Sequence, residues 1–154
     1  MQTDPSGIQL FHLLEHTGGG GGATLLVDGF YVASLLRDLY PEAYRLLSTV
    51  PMSAHAAGES TILYRASRPP LEHDAVGNLR AVRWNNADRS VLREVPHGDI
   101  PRLYEAMRAW EKVITSPDSE YWVQLSPRTA IGTGSLFPHP HIRLLSPPFL
   151  VLPF

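Results

Sequence analysis

Gly18-Gly19-Gly20-Gly21-Gly22-Ala23-Thr24-Leu25-Leu26-Val27-Asp28-Gly29-Phe30 places a loop, a strand and a helix in direct succession. Five glycines in a row favour loop, because glycine loses the most backbone freedom when it is ordered. Thr24 to Asp28 follows as a short apolar strand, and Asp28-Gly29 turns the chain into an amphipathic helix. Two readings of the loop stay open. Its glycines let a ligand approach the backbone, and a Thr at the mouth of a strand can offer an O–H to an anionic group. Alternatively the run is a plain linker. It matches neither phosphate-loop pattern, having no Lys-Ser/Thr after it and no spaced G-x-G-x-x-G.

Outward from this stretch, Ile8-Gln9-Leu10-Phe11-His12-Leu13-Leu14 is apolar at nearly every position and predicts a strand covered on both faces of a layered sheet. His12 reads as a core residue bonded to a neighbour, His16 as a solvated turn residue. The helix from Phe30 turns Val32, Leu35, Leu36 and Leu39 to the core. Pro41 ends it and opens a second short helix with Ala43, Leu46 and Leu47 as its buried stripe. Ser53 to Ser60, with His55 and Gly58, reads as a mobile loop. Thr61 to Ala66 and Leu79 to Trp84 read as a hairpin-like antiparallel pair, with Gly77-Asn78 supplying the turn into the second strand and His73-Asp74 serving as turn polarity. Asp99 is the expected N-cap of a third helix with Pro101 in its first turn and Leu103, Met107, Trp110 and Ile114 on one face. Tyr121 to Leu125 returns to strand.

Composition bounds the function. The 154 residues fit one domain, and 44% hydrophobic residues suffice for one core. A net charge of −2 leaves no basic footprint for nucleic acid. With no Cys, disulfides, thiolate zinc sites and a Cys nucleophile are excluded, and any metal must be held by His and carboxylates. Met1 to Pro5 lacks the basic and apolar regions of a signal peptide, and no apolar run approaches a membrane span. The expectation is a soluble protein of an intracellular, reducing compartment.

Trp84-Asn85-Asn86-Ala87-Asp88-Arg89 is the second chemically suggestive stretch. Two amides, a carboxylate and a guanidinium at one strand end can bind a carboxylate through hydrogen bonds and a fork of donors. They can equally form a strand-end turn in which Asn and Asp bond their own backbone and Arg89 pairs with Asp88 or Glu94.

Four blocks in order carry a resemblance: Ser6 to Leu14, Ala23-Thr24-Leu25-Leu26-Val27-Asp28-Gly29-Phe30, Pro41-Glu42-Ala43 to Thr49, and Arg83-Trp84-Asn85-Asn86-Ala87-Asp88-Arg89. Together, over Thr3 to Ile131, they resemble the trimethyllysine and gamma-butyrobetaine dioxygenase branch of the TauD/TfdA family. The resemblance implies a mainly β fold with flanking helices, here an incomplete double-stranded β-helix (jelly-roll) core over residues 3–131. It also implies Fe(II), 2-oxoglutarate and O₂ as reactants and hydroxylation of a trimethylammonium amino acid, trimethyllysine ahead of gamma-butyrobetaine. On it, Thr24 contacts 2-oxoglutarate, and Asn85, Asn86 and Arg89 contact the substrate.

The departures from the family pattern set further expectations. Its iron is held by a His-x-Asp and a distant His. The first would precede Thr3-Asp4-Pro5, and the second would follow a strand that this sequence leaves after Ile131, so no metal ligand is assigned. Residues 132–154 form a divergent Pro-, Leu- and Phe-rich tail, expected to be disordered or non-native. His139 and His141 form a close pair there, but with Pro between and after them and no carboxylate nearby they are assigned no metal. The expected function is therefore that of a fragment of an Fe(II)/2-oxoglutarate dioxygenase, inactive alone. The alternative is an inactive short product that binds the full-length enzyme. Unpaired sheet edges would favour association or a homo-oligomer.

Overall fold

A computed structural model of the chain describes residues 9–16, 18–19, 22–57, 63–87, 89–133 and 149–151. The sequence expectations that fall on Asp88, His139 and His141 lie outside them. Among the described residues strand outweighs helix, and every strand pairing is antiparallel.

Three helices and one central strand build the core. α1 (Gly29–Leu39) begins where Asp28 Oδ1 accepts hydrogen bonds from the Phe30 and Tyr31 amides at 2.9 and 3.1 Å. Those bonds satisfy two of the donors that a helix start leaves open. Its first residue must be small: a Cβ on Gly29 would stand 3.1 Å from Val82 Cγ1, so glycine lets the helix start lie directly on the neighbouring strand. Val32 and Leu36 are buried as the spacing predicts, Leu35 is half-buried, and Ala33 is buried beside them. Leu39 departs from the prediction and is 62% exposed. It is the last helical residue, and the chain turns into α2 (Pro41–Thr49) before another element can cross over it.

α2 buries Ala43, Leu46 and Leu47, the predicted stripe, against α3 (Ile100–Ile114) and α1. α3 buries Leu103, Ala106, Met107, Trp110, Val113 and Ile114. Asp99 occupies its N-cap position but makes no side-chain cap, because a single 3-10 turn, His97–Asp99, already leads the backbone into the helix.

The strand predicted after the glycine loop is β2 (Ala23–Asp28), flanked by β7 (Glu120–Gln124) and β9 (Phe149–Val151) in the order β7-β2-β9. Leu25, Leu26 and Val27 are all buried. Leu25 and Val27 join the helical core with Leu71, Val82 and Trp84, so the period-2 alternation turns Thr24 and Leu26 to the other face.

Five further expectations are corrected. β1 (Gln9–Leu13) is a strand, but among the described residues it pairs only with β8 (Thr129–Thr133) in a two-stranded ribbon, and Leu10 is 71% exposed with Phe11 also open to solvent. With no layer over it among the described residues the ribbon does not bury both faces, and His12 is accordingly an exposed residue rather than a core one. His16 is half-buried, not solvated, with its ring beside Gly22. Of the loop predicted from Ser53 to Ser60, residues 53–57 are instead in β3 (Met52–Ala57), which pairs edge to edge with β4 (Leu63–Arg68) and buries Met52 and Ala54, while residues 58–60 lie outside the described ones. The predicted hairpin partners do not pair with each other. β4 takes β3, and β6 (Leu79–Val82) takes the short β5 (Leu71–His73), because the Asp74–Asn78 turn closes that local hairpin first.

Candidate functional site

Thr24 is positioned by the loop and strand on either side of it. Gly22 has φ +84°, a left-handed turn that glycine adopts without strain, and its carbonyl accepts from Gln124 Nε2 at 3.4 Å. Thr24 pairs with Val123 in the ladder and is half-buried on the face away from the helices. Its hydroxyl makes no hydrogen bond among the described residues, so an O–H donor faces away from the core where a carboxylate oxygen could accept it.

The Trp84 to Arg89 block is held from below by an aromatic contact: the buried Trp84 and Trp110 rings lie 5.9 Å apart at 51°. The strand-end turn has a counterpart in the geometry, although Arg89 bonds Asn86 where Asp88 or Glu94 was the expected partner. Asn85 Oδ1 accepts from the Ala87 amide at 3.0 Å, which is the strand-end turn. Arg89 Nε donates to Asn86 Oδ1 at 2.8 Å, and the guanidinium stacks 5.3 Å over the Tyr104 ring from α3. Asn85 and Arg89 then line a cavity of about 20 Å³ together with Arg68, Arg83 and Trp84. That is room for about one water-sized group, such as a single carboxylate oxygen. Thr24 does not line it.

Three guanidinium groups on one small cavity were not foreseen. Glu72 compensates two of them: its Oε1 lies 3.2 Å from Arg68 Nη1 and its Oε2 lies 3.4 Å from Arg83 Nη2, with Arg83 only 9% exposed. The signal in sequence was slight, a Glu beside the buried Leu71 and an Arg beside the buried Val82 on strands that pair in that register. The neighbouring His73-Asp74 serves structure. Hydrogen bonds from the Asn78 backbone and then its side chain hold the Asp74 carboxyl below the usual range and close the turn. His73 bonds to the Leu71 carbonyl through Nδ1 and to the Tyr44 hydroxyl through Nε2 at 2.8 Å, and burial pushes the Tyr44 phenol up.

An iron centre needs three His or carboxylate ligands converging on one point. Among the described residues no three His, Cys, Asp or Glu side chains stand so, and these residues do not fit the metal. The Thr24 hydroxyl, unbonded among the described residues, could donate one hydrogen bond to a carboxylate oxygen.

Comparison with known proteins gives these features a context. The chain belongs to the taurine catabolism dioxygenase TauD, TfdA family, whose model matches residues 1–131. It is 39% identical over 128 residues to a trimethyllysine dioxygenase of Meyerozyma guilliermondii, covering 81% of this chain and 32% of that protein. The match to the mitochondrial trimethyllysine dioxygenase of Homo sapiens is also 39% over 128 residues, covering 80% and 30%. Human gamma-butyrobetaine dioxygenase is 26% identical over 129 residues, covering 82% and 33%. The chain thus spans about a third of the length of these curated relatives.

Proposed function

We propose that this chain carries part of the substrate- and cosubstrate-binding surface of an Fe(II)/2-oxoglutarate-dependent dioxygenase that hydroxylates trimethyllysine. The observation that carries the reading is the gap between 39% identity to trimethyllysine dioxygenases and 26% to a gamma-butyrobetaine dioxygenase over the same stretch. In it, residues 3–131 form the family domain, as an incomplete double-stranded β-helix, and residues 132–154 a divergent tail. The family match over residues 1–131 supports that domain reading, while the described strands pair as separate two- and three-stranded antiparallel sheets. Relatives named as mitochondrial support an intracellular setting, mitochondrial or cytoplasmic. No helix of the described residues is long and apolar enough to cross a membrane.

Thr24 donates its hydroxyl to a carboxylate oxygen of 2-oxoglutarate, while Asn85, Asn86 and Arg89 meet the carboxylate side of the substrate. The cavity beside Asn85 and Arg89 carries three guanidinium groups against the one carboxylate of Glu72, a positive excess that suits that partner. Because the described residues do not fit iron, the chain alone is expected to release no succinate from 2-oxoglutarate with Fe(II) and trimethyllysine present. Binding tests the assignment directly. Thr24→Val keeps shape and strand propensity while removing the donor, so 2-oxoglutarate titrated into the protein should bind roughly ten- to a hundred-fold more weakly, the worth of about 1.5 to 3 kcal/mol for a bond to a charged group. The melting temperature should hold. Unchanged affinity with a lowered melting temperature would make Thr24 a packing residue, and tighter binding of gamma-butyrobetaine than of trimethyllysine would reverse the substrate assignment.

A further inference from the structure

A second and larger cavity, about 580 Å³, lies between the β3–β4 hairpin and residues 90–94. Its volume falls in the range of small-ligand sites. The hairpin register sets His55 opposite Arg65 and Ser53 opposite Ser67, on the face opposite the buried Met52 and Ala54. The far wall is tied on by the Ser90 amide, which donates to the Ser53 carbonyl at 2.8 Å, and by a bridge between Ala54 and Arg89. Across the gap Ser90 Oγ and His55 Nδ1 are 3.1 Å apart.

The charge of this cavity is unbalanced. Arg37, Arg45, Arg68, Arg83 and Arg102 each meet a carboxylate. Arg65 and Arg93, both lining the cavity, meet none among the described residues. The carboxylate in the lining, Glu94, has Oε2 taken by the Ser67 hydroxyl at 2.6 Å. Two guanidinium forks without a carboxylate, beside an imidazole and a serine, are donors in excess of acceptors.

We propose that this cavity binds a small oxyanion, a phosphate or a carboxylate, gripped by Arg65 and Arg93 and hydrogen-bonded by Ser90 with His55 behind it. Planar guanidinium matches either anion through paired N–H donors. When His55 Nδ1–H donates to Ser90 Oγ, the serine O–H is left to point at the ligand. None of Thr24, Asn85, Asn86 and Arg89 lines this cavity, so the site stands or falls independently of the proposed oxygenase activity.

The test is a titration of the 154-residue chain with inorganic phosphate and, separately, with succinate, at an ionic strength held constant by sodium chloride, following the His55 ring resonances. The expected result is a saturable shift that Arg65→Gln and Arg93→Gln each weaken by about tenfold or more. Both side chains are exposed, so far-UV circular dichroism should not change. Tighter binding of phosphate or of succinate names the source of the anion. The proposal is overturned if chloride alone reproduces the shift, or if neither substitution alters the saturation.

Discussion

Phe11 and Trp110 are both large aromatic residues in regular elements with apolar neighbours, yet one stands in solvent and the other is 1% exposed. Trp110 sits on α3, whose apolar face meets α1, α2 and the ring of Trp84. Phe11 sits on β1, which among the described residues pairs with β8 alone. The difference lies in what is packed over each residue and not in its chemistry, since burial releases free energy only where a second surface excludes water.

The widest break between the two regions should come from truncating each aromatic. Trp110→Ala removes a core side chain and is expected to cost about 3 to 5 kcal/mol in urea unfolding. Phe11→Ala is expected to cost less than about 1 kcal/mol. Equal costs would mean that the β1–β8 ribbon is covered in solution, by association of copies through the exposed Leu10 and Phe11. Sedimentation velocity with Leu10→Ser would then show a smaller species than the unmodified chain.

The ion pair on the β5–β6 hairpin, which packs against α1 and α2, sharpens the contrast. Glu72→Gln leaves Arg83 nearly buried without its anion and is expected to destabilise by about 2 to 3 kcal/mol. A change below experimental error in the same unfolding measurement would show that water reaches Arg83. Next in size is the cap of α1. Asp28→Ala removes the acceptor of two amides and should cost about 1 kcal/mol, with Asp28→Asn recovering most of it.

The smallest effect is at Glu42, which joins α2 to α3 through Arg102. The Arg45 side chain above all, with Arg102, lowers its carboxyl from the usual 4.5 to about 2. A depressed folded pKa favours the folded state above the unfolded value and loses that contribution as pH falls from about 4.5 towards 2. At low salt the unmodified chain should therefore lose melting temperature over that window more steeply than Glu42→Gln. Parallel profiles would show that the surface network contributes nothing, as is common for exposed pairs.

The sequence by itself determined the elements whose physics is local. Periods near 3.6 located α1, α2 and α3 and most of their buried residues, Pro41 set the start of α2, and Asp28 set the cap of α1, because each rests on residues within a few positions along the chain. The ordered blocks around Thr24 and Asn85 were also sufficient for the family. Tertiary structure alone decided whether an apolar strand is covered, as at Leu10 and Phe11, and which strand pairs with which, as at β3 and β4. It also decided which charged side chains from separate strands share one cavity. Glu72 and Arg83 meet through the β5–β6 register, and Arg65 and Arg93 come to one cavity because β3–β4 folds back beneath residues 90–94. These are contacts between positions distant in sequence, and no local periodicity carries them.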